Sequence, residues 1–160
     1  MHAEKGGGVE RELTYVDILG RLAPCGLDCQ RCVMCADGVI QRSAAELTTA
    51  LEGFENMAPR VTAHAPALAG YQQFRDVLHF FADASCTGCR GGGSSLPFCS
   101  ARRCFKEQGV DYCFQCSEYP CDRNEYPQNL EERWRTVNDR MREVGVEEYY
   151  RESLRTPRYQ

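Results

Sequence analysis

No run of apolar residues in this 160-residue chain approaches the roughly 18 to 20 needed to cross a bilayer. The opening "MHAEKGGGVERE" has no hydrophobic stretch of the kind a secretory signal needs. Both absences predict a cytoplasmic protein with no membrane partner. A basic excess is also missing: 19 Lys and Arg against 23 Asp and Glu leave a formal net charge of -4, which gives nucleic acid no electrostatic footprint. Histidine is scarce, with three residues. His2 falls in the N-terminal tail, and neither His64 nor His79 sits where it would activate a cysteine nucleophile, so no catalytic residue is assigned. His79, between Leu78 and Phe80, is expected to be partly buried and structural. No internal repeat marks a solenoid. The "RGGGSS" stretch at 90–95 lacks the Lys-Ser/Thr of a phosphate loop.

What the chain does have is helical periodicity. With 42% apolar and 26% charged residues it reads as one globular domain, and at this length folding buries about 70% of the unfolded chain's surface. Residues 1–8 carry a glycine triplet and read as a flexible tail, and 9–160 as a single cysteine-rich helical domain. A first helix is expected over 9–22, with Leu13, Val16 and Leu19 on one face and Pro24 closing it. Ser43 and Glu46 form a capping-box pattern that predicts a helix start, with Leu47, Leu51 and Phe54 on its buried face and Pro59 at its end. A partner helix over 66–84 places Tyr71, Phe74, Leu78 and Phe81 at three- and four-residue spacing. After Pro127, Asn129 and Glu132 repeat the cap pattern. Leu130, Trp134, Val137, Met141 and Val144 then follow in helical phase until Gly145. A last short helix is expected over 146–154.

Between 85 and 122 the periodicity fades and glycine and cysteine dominate, which suits loops held by ligands instead of by a core. The chain has 11 cysteines, an odd number that cannot all pair. A reducing cytosol does not sustain structural disulfides, so abundant cysteine there points to metal or catalysis. The spacings are Cys-x3-Cys-x2-Cys-x2-Cys at 25, 29, 32 and 35; Cys-x2-Cys at 86 and 89; Cys-x4-Cys at 99 and 104; and Cys-x2-Cys-x4-Cys at 113, 116 and 121. A Cys-x2-Cys turn aims two sulfurs at one point, and two such turns complete a four-thiolate zinc site. The spacing therefore pairs Cys86 and Cys89 with Cys113 and Cys116. Cys25, Cys29 and Cys32 supply three ligands of a second centre, with Cys35, Cys99, Cys104 or Cys121 as the fourth.

Cys-x3-Cys-x2-Cys is also the spacing by which radical S-adenosylmethionine enzymes hold a cluster, but those need a barrel of strands and helices that this chain is too short to build. A ferredoxin-like iron–sulfur cluster stays open as an alternative. A thioredoxin-like pair lacks its strand-rich setting. Arg31, Arg90, Arg102, Arg103 and Lys106 sit in sequence near the cysteines, as cations would near thiolates. Phe98, Phe105, Tyr112, Phe114 and Tyr119 are expected to shield metal-bound sulfurs.

Taken in order, "APCGLDCQRC", "CTGCRGG", "CSARRC", "GVDYCFQCSEYPC" and "NLEERWRTVNDRMREVGVEEYY" resemble the prokaryotic family catalogued as domain of unknown function 3795, over about 23–150. The resemblance implies a small zinc-binding cytosolic protein with no established reaction. It also implies a metal-ligand set of Cys25, Cys29, Cys32, Cys86, Cys89, Cys99, Cys104, Cys113, Cys116 and Cys121. Cys35 is an addition to that pattern.

The sequence thus predicts a mainly α fold: a small helical domain with a cysteine-rich, metal-stabilised loop segment, its metal-binding parts at 25–35 and 86–121. The cofactor expected is zinc, in one or two structural sites that stabilise the fold or a surface for a protein partner. The alternatives are an iron–sulfur or thiol redox protein, then a metal sensor or metallochaperone.

Overall fold

The computed structural model describes residues 13–93, 96 and 99–159. The expected tail at 1–8 and the first residues of the expected opening helix lie outside this range. Among the described residues the fold is mainly helical with no strand, as the periodicity predicts.

Helix α1 (Tyr15–Leu19) is shorter than expected because its start is set by Thr14. The Thr14 hydroxyl accepts the Asp17 N–H and the Asp17 carboxylate accepts the Thr14 N–H, satisfying two amides that a helix start leaves free. Its buried residue is Ile18, whereas Val16, assigned to the apolar face from the sequence, is 74% exposed.

Helices α2 (Val39–Ala50) and α4 (Tyr71–Ala82) pack against each other as an arm, with the short α3 (Ala58–Val61) and a 3-10 turn, Pro66–Gly70, joining them. Ala44, Tyr71 and Leu78 are buried on these helices, and Gln41 Nε2 donates to the Ala82 carbonyl at 2.9 Å. The pairing is as expected, but the start of α2 is not. Gly38, not Ser43, precedes its first turn, where a Cβ would come within 2.9 Å of the Cys35 Cβ. Ser43 is left exposed inside the helix. Pro59 does not end α2 but occupies the first turn of α3, where its missing N–H costs nothing. His79 is exposed and not partly buried, and Phe74, Val77 and Phe80 also face solvent.

The segment 85–122 is not all loop: it contains α5 (Ala101–Glu107). Helix α6 (Gln128–Val144) buries Trp134, Asn138 and Met141, and α7 (Val146–Leu154) buries Val146 and Tyr150. Gly145 separates them with φ +85°, a left-handed backbone open to glycine without strain.

The core beneath α1, α6 and α7 has two adjoining parts. One gathers Ile18, Leu22, Tyr112, Met141, Val146 and Tyr150, and the other Ala23, Cys25, Cys99, Ala101 and Trp134. Cysteine thus contributes directly to packing, as a small apolar side chain does.

Candidate metal centre

None of the 11 cysteines is in a disulfide. The fold sorts nine of them into two neighbourhoods and leaves Cys25 and Cys99 buried in the core. The first is built by α5, by the turn Cys113–Gln115 and by the segment that follows it. Cys104, Cys113, Cys116 and Cys121 line one cavity of about 20 Å³, walled by Phe105, Tyr119 and Trp134. Successive hydrogen bonds from Cys116 N–H to Cys113 O (3.0 Å) and from Tyr119 N–H to Cys116 O (3.1 Å) wind the Cys-x2-Cys turn. The Glu118 N–H donates to Cys116 Sγ at 3.4 Å. Tyr119 meets Trp134 edge-on at 5.0 Å, and the Tyr119–Pro120 peptide is cis.

Burial pushes the Cys113 thiol up to about 12, opposed by the Trp134 side chain and reinforced by Cys104, Cys121 and Cys99. Cys104 is raised by burial and by Cys121, with Arg123 opposing. The Trp134 Nε1–H is buried without a hydrogen-bond partner, yet the indole lies near enough to Cys113 to lower that thiol's pKa. A donor stranded beside a sulfur is a donor placed for a thiolate.

The second neighbourhood joins the opening run to the Cys86 turn. A parallel bridge pairs Cys35 with Cys86: Ala36 N–H donates to Cys86 O, and Cys86 N–H to Met34 O, both at 2.9 Å. Turns stepping from Cys29 to Cys32 to Cys35 close with bonds of 3.0 and 3.1 Å. Burial pushes the Cys29 thiol up to about 12, with Cys89, Cys32, Cys35 and Cys86 all adding to it, so these five thiols share one electrostatic environment.

The pairing of Cys86 and Cys89 with Cys113 and Cys116, inferred from spacing, is not what the fold makes. Cys86 and Cys89 meet Cys29 and Cys35, while Cys113 and Cys116 meet Cys104 and Cys121. Cys25 lies in the core, in a cluster against which Cys29, Cys89 and Cys113 pack, and burial raises its thiol well above the ordinary range, opposed by a backbone hydrogen bond from Leu27 and reinforced by Cys99, Cys113 and Cys89. Cys99 sits beside it in that core, 2.9 Å from the Tyr126 hydroxyl. Cys35, outside the ligand set that the resemblance implies, is inside the second neighbourhood.

Several residues tie these segments together, among them two of the arginines set near cysteines in the sequence. Buried Asn138 donates from Nδ2 to Cys25 O at 3.0 Å and accepts the Phe114 N–H at 3.1 Å, so one α6 side chain holds both cysteine segments. The Cys113 N–H donates to Pro24 O at 2.9 Å. Arg90 spans Leu22 O and Asp111 O with its guanidinium over the Phe105 and Tyr112 rings. Arg31 binds Asp28 and the carbonyls of Ser153 and Thr156. These arginines brace backbone. Of the aromatics expected to shield sulfur, Phe105 and Tyr119 line the first cavity. Tyr112 and Phe114 stack in the other core cluster, and Phe98 lies outside the described residues.

Among the described residues no group of three or more His, Cys, Asp or Glu is arranged to hold a metal ion as it stands. The donor set nonetheless fits zinc. Four thiols surround a space that admits one water-sized occupant, beside an unpartnered N–H, and Cys sulfurs reposition by rotation about a single side-chain bond.

Fold and thiols together define a class: a helical, cysteine-rich protein without strands among its described residues. The family model "Protein of unknown function (DUF3795)" matches residues 21–126, and the chain belongs to that family. The match spans both thiol neighbourhoods and the arm and stops before α6, which supplies Trp134 and Asn138. No curated protein and no solved structure matches the chain.

Proposed function

We propose that this is a cytoplasmic zinc-binding protein in which Cys104, Cys113, Cys116 and Cys121 hold one structural zinc ion. The observation that carries the reading is the first cavity: four thiols around space for one ion, with the Trp134 N–H buried, unpartnered and beside Cys113. Zinc would take up the thiolates, and the protons they lose make binding tighter as pH rises. Four thiolates around Zn²⁺ leave a net charge of about -2. The Glu118 N–H, the Trp134 N–H and Arg123 are the groups placed to stabilise that charge. A structural zinc site is worth roughly 10 to 16 kcal/mol in small peptides, comparable with the 5 to 15 kcal/mol net stability of a whole domain.

Metal analysis and a visible spectrum of protein purified without oxygen test this. Stoichiometric zinc in colourless protein is expected, and iron with sulfide and colour would replace the reading with the iron–sulfur alternative. The chain's single tryptophan lies at the site, so Cys113→Ser should lose zinc together with the change in Trp134 emission that zinc produces. Unchanged zinc content in this variant would overturn the assignment.

A further inference from the structure

Helix α4 has more apolar surface than its pairing with α2 uses. At about 100° per residue, its apolar side chains cover a sector of about 200°, broken only by Gln73, whereas a helix facing one core needs about half of that. Tyr71 and Leu78, on one half of the sector, are buried in the pairing of α2 and α4. The other half holds Phe74, Val77, Phe80 and Phe81. Phe74 is 46% exposed, Val77 52% and Phe80 55%, so about half of each side chain is in water. Phe80 and Phe81 meet edge-on at 5.6 Å and form one end of this stripe.

The arm has two unlike sides. Along one, a groove of about 320 Å³ between α2 and α4 is lined by Thr48, Glu52, Glu55, Arg75 and His79, and Arg75 Nη1 lies 3.9 Å from Glu55 Oε1. Helical phase sets Ile40 and Leu47 of α2 on the other side, next to Phe74, Val77 and Phe81 of α4. The charged residues of the two helices, Arg42, Glu46, Arg75 and Asp76, all fall outside that side by the same phase. Such a face offers a partner no charge to pair with and selects it by apolar shape alone. The segment 39–82 carries three Arg and no Lys against four Asp and Glu, so two arms meet with little net repulsion.

We infer that this face docks a second copy of the chain, α4 crossing α4 antiparallel at Val77, so that two arms form a four-helix bundle. The stripe matches its own image. Phe74 stands three residues before Val77 and Phe80 three after, so a two-fold axis at Val77 sets each Phe74 against Phe80 of the other copy. Ile40 and Leu47 border the crossing and widen the contact. Two 12-residue helices side by side cover about 18 by 20 Å in plan. Burying that face against its twin removes on the order of 1,000 Å² from water in total, the lower bound for a specific interface, which makes the dimer a weak and reversible one. The Cys35–Cys86 bridge joins the arm to the body beyond the start of α2 and the end of α4, so the antiparallel crossing sets the two bodies at opposite ends of the bundle. No thiol lies on this face, and the inference does not rest on the zinc site.

Sedimentation equilibrium of the full chain in reductant, across a thousandfold dilution, tests this. The wild type should have twice the mass of one chain at the concentrated end and approach the single mass on dilution. Val77→Lys and Val77→Asp should each have the single mass throughout. Their helical circular dichroism should stay unchanged, because Val77 is half exposed within one copy. Mixed one to one, the two variants should regain the doubled mass, since opposite charges then meet at the axis. Glu52→Gln, in the polar groove, should associate as the wild type does. A wild type of single mass at every concentration would overturn the inference, as would a different polypeptide purifying with it one to one and released by Val77→Lys. Doubled mass persisting in both Val77 variants would place the interface elsewhere, and a mixture that stays at the single mass would reject the two-fold crossing at Val77.

Discussion

The arm formed by α2, α3 and α4 and the cysteine-bearing body solve the same problem by different means. The arm closes on itself through two helices with facing apolar stripes, and its main contacts fall within 39–82. Outside the arm, the described residues from 22 to 126 form little regular structure beyond α5 and the turn Cys113–Gln115. There, single side chains do what a helix face does in the arm: Asn138 holds Cys25 and Phe114, and Arg90 holds Leu22 and Asp111. Where periodic packing is absent, polar ties and buried cysteines take its place, and the two regions should respond to different perturbations.

The widest separation is expected on stripping metal. Chelation in denaturant-free buffer should collapse the body's tertiary signal while the arm keeps its helical circular dichroism, an effect of many kcal/mol confined to one region. Loss of both signals in step would show that the arm depends on the body. Next comes Asn138→Ala, which orphans the Phe114 N–H and Cys25 O in a fully buried position. At 1–3 kcal/mol per stranded group a cost of about 3 kcal/mol is expected. Urea melts should show it, and a shift under 1 kcal/mol would demote Asn138 to a bystander. Leu78→Ala in the arm should cost about 2 kcal/mol, at the low end for a buried leucine because solvent lies close behind it, and should leave zinc content untouched.

The smallest effect concerns pH. Hydrogen bonds from Arg140, which joins α6 to α7 through Glu152 at 2.9 Å, hold the Glu152 carboxyl below the usual carboxylate range. A pKa depressed in the folded state gives stability that is present above the ordinary value and lost as pH falls through the folded one. Acidification should therefore lower the Tm of the wild type slightly more than that of Glu152→Gln. Parallel curves would remove the pair from any account of the body's stability.

The sequence carries the arm and the last two helices because their determinants are local. Gly145 and the phase of Val146 and Tyr150 place α7 at 146–154, where the structure has it. The start of α2 escaped the same reasoning because the close contact of Gly38 with Cys35, not the Ser43 pattern, sets it, and that contact exists only once the cysteine turns form. The cysteines announce themselves as a chemical set through Cys-x2-Cys spacing, but spacing says nothing about which turns meet. That is decided by the Cys35–Cys86 bridge and the Cys113 to Pro24 bond, both between segments far apart in the chain. Asn138 was invisible for a different reason: a polar residue next to an apolar helical stripe reads as solvated, and only the carbonyl and amide it meets from other segments explain its burial.

The tie from Asn138 to Cys25 spans 113 positions. During synthesis at roughly 5 to 20 residues per second, the arm can complete as soon as α4 leaves the ribosome, while the opening cysteines wait for α6 and the segment bearing Tyr159. For several seconds the nascent chain therefore presents a folded hairpin flanked by uncovered thiols, and that interval is when a metal donor or an oxidant in the cell meets them most easily.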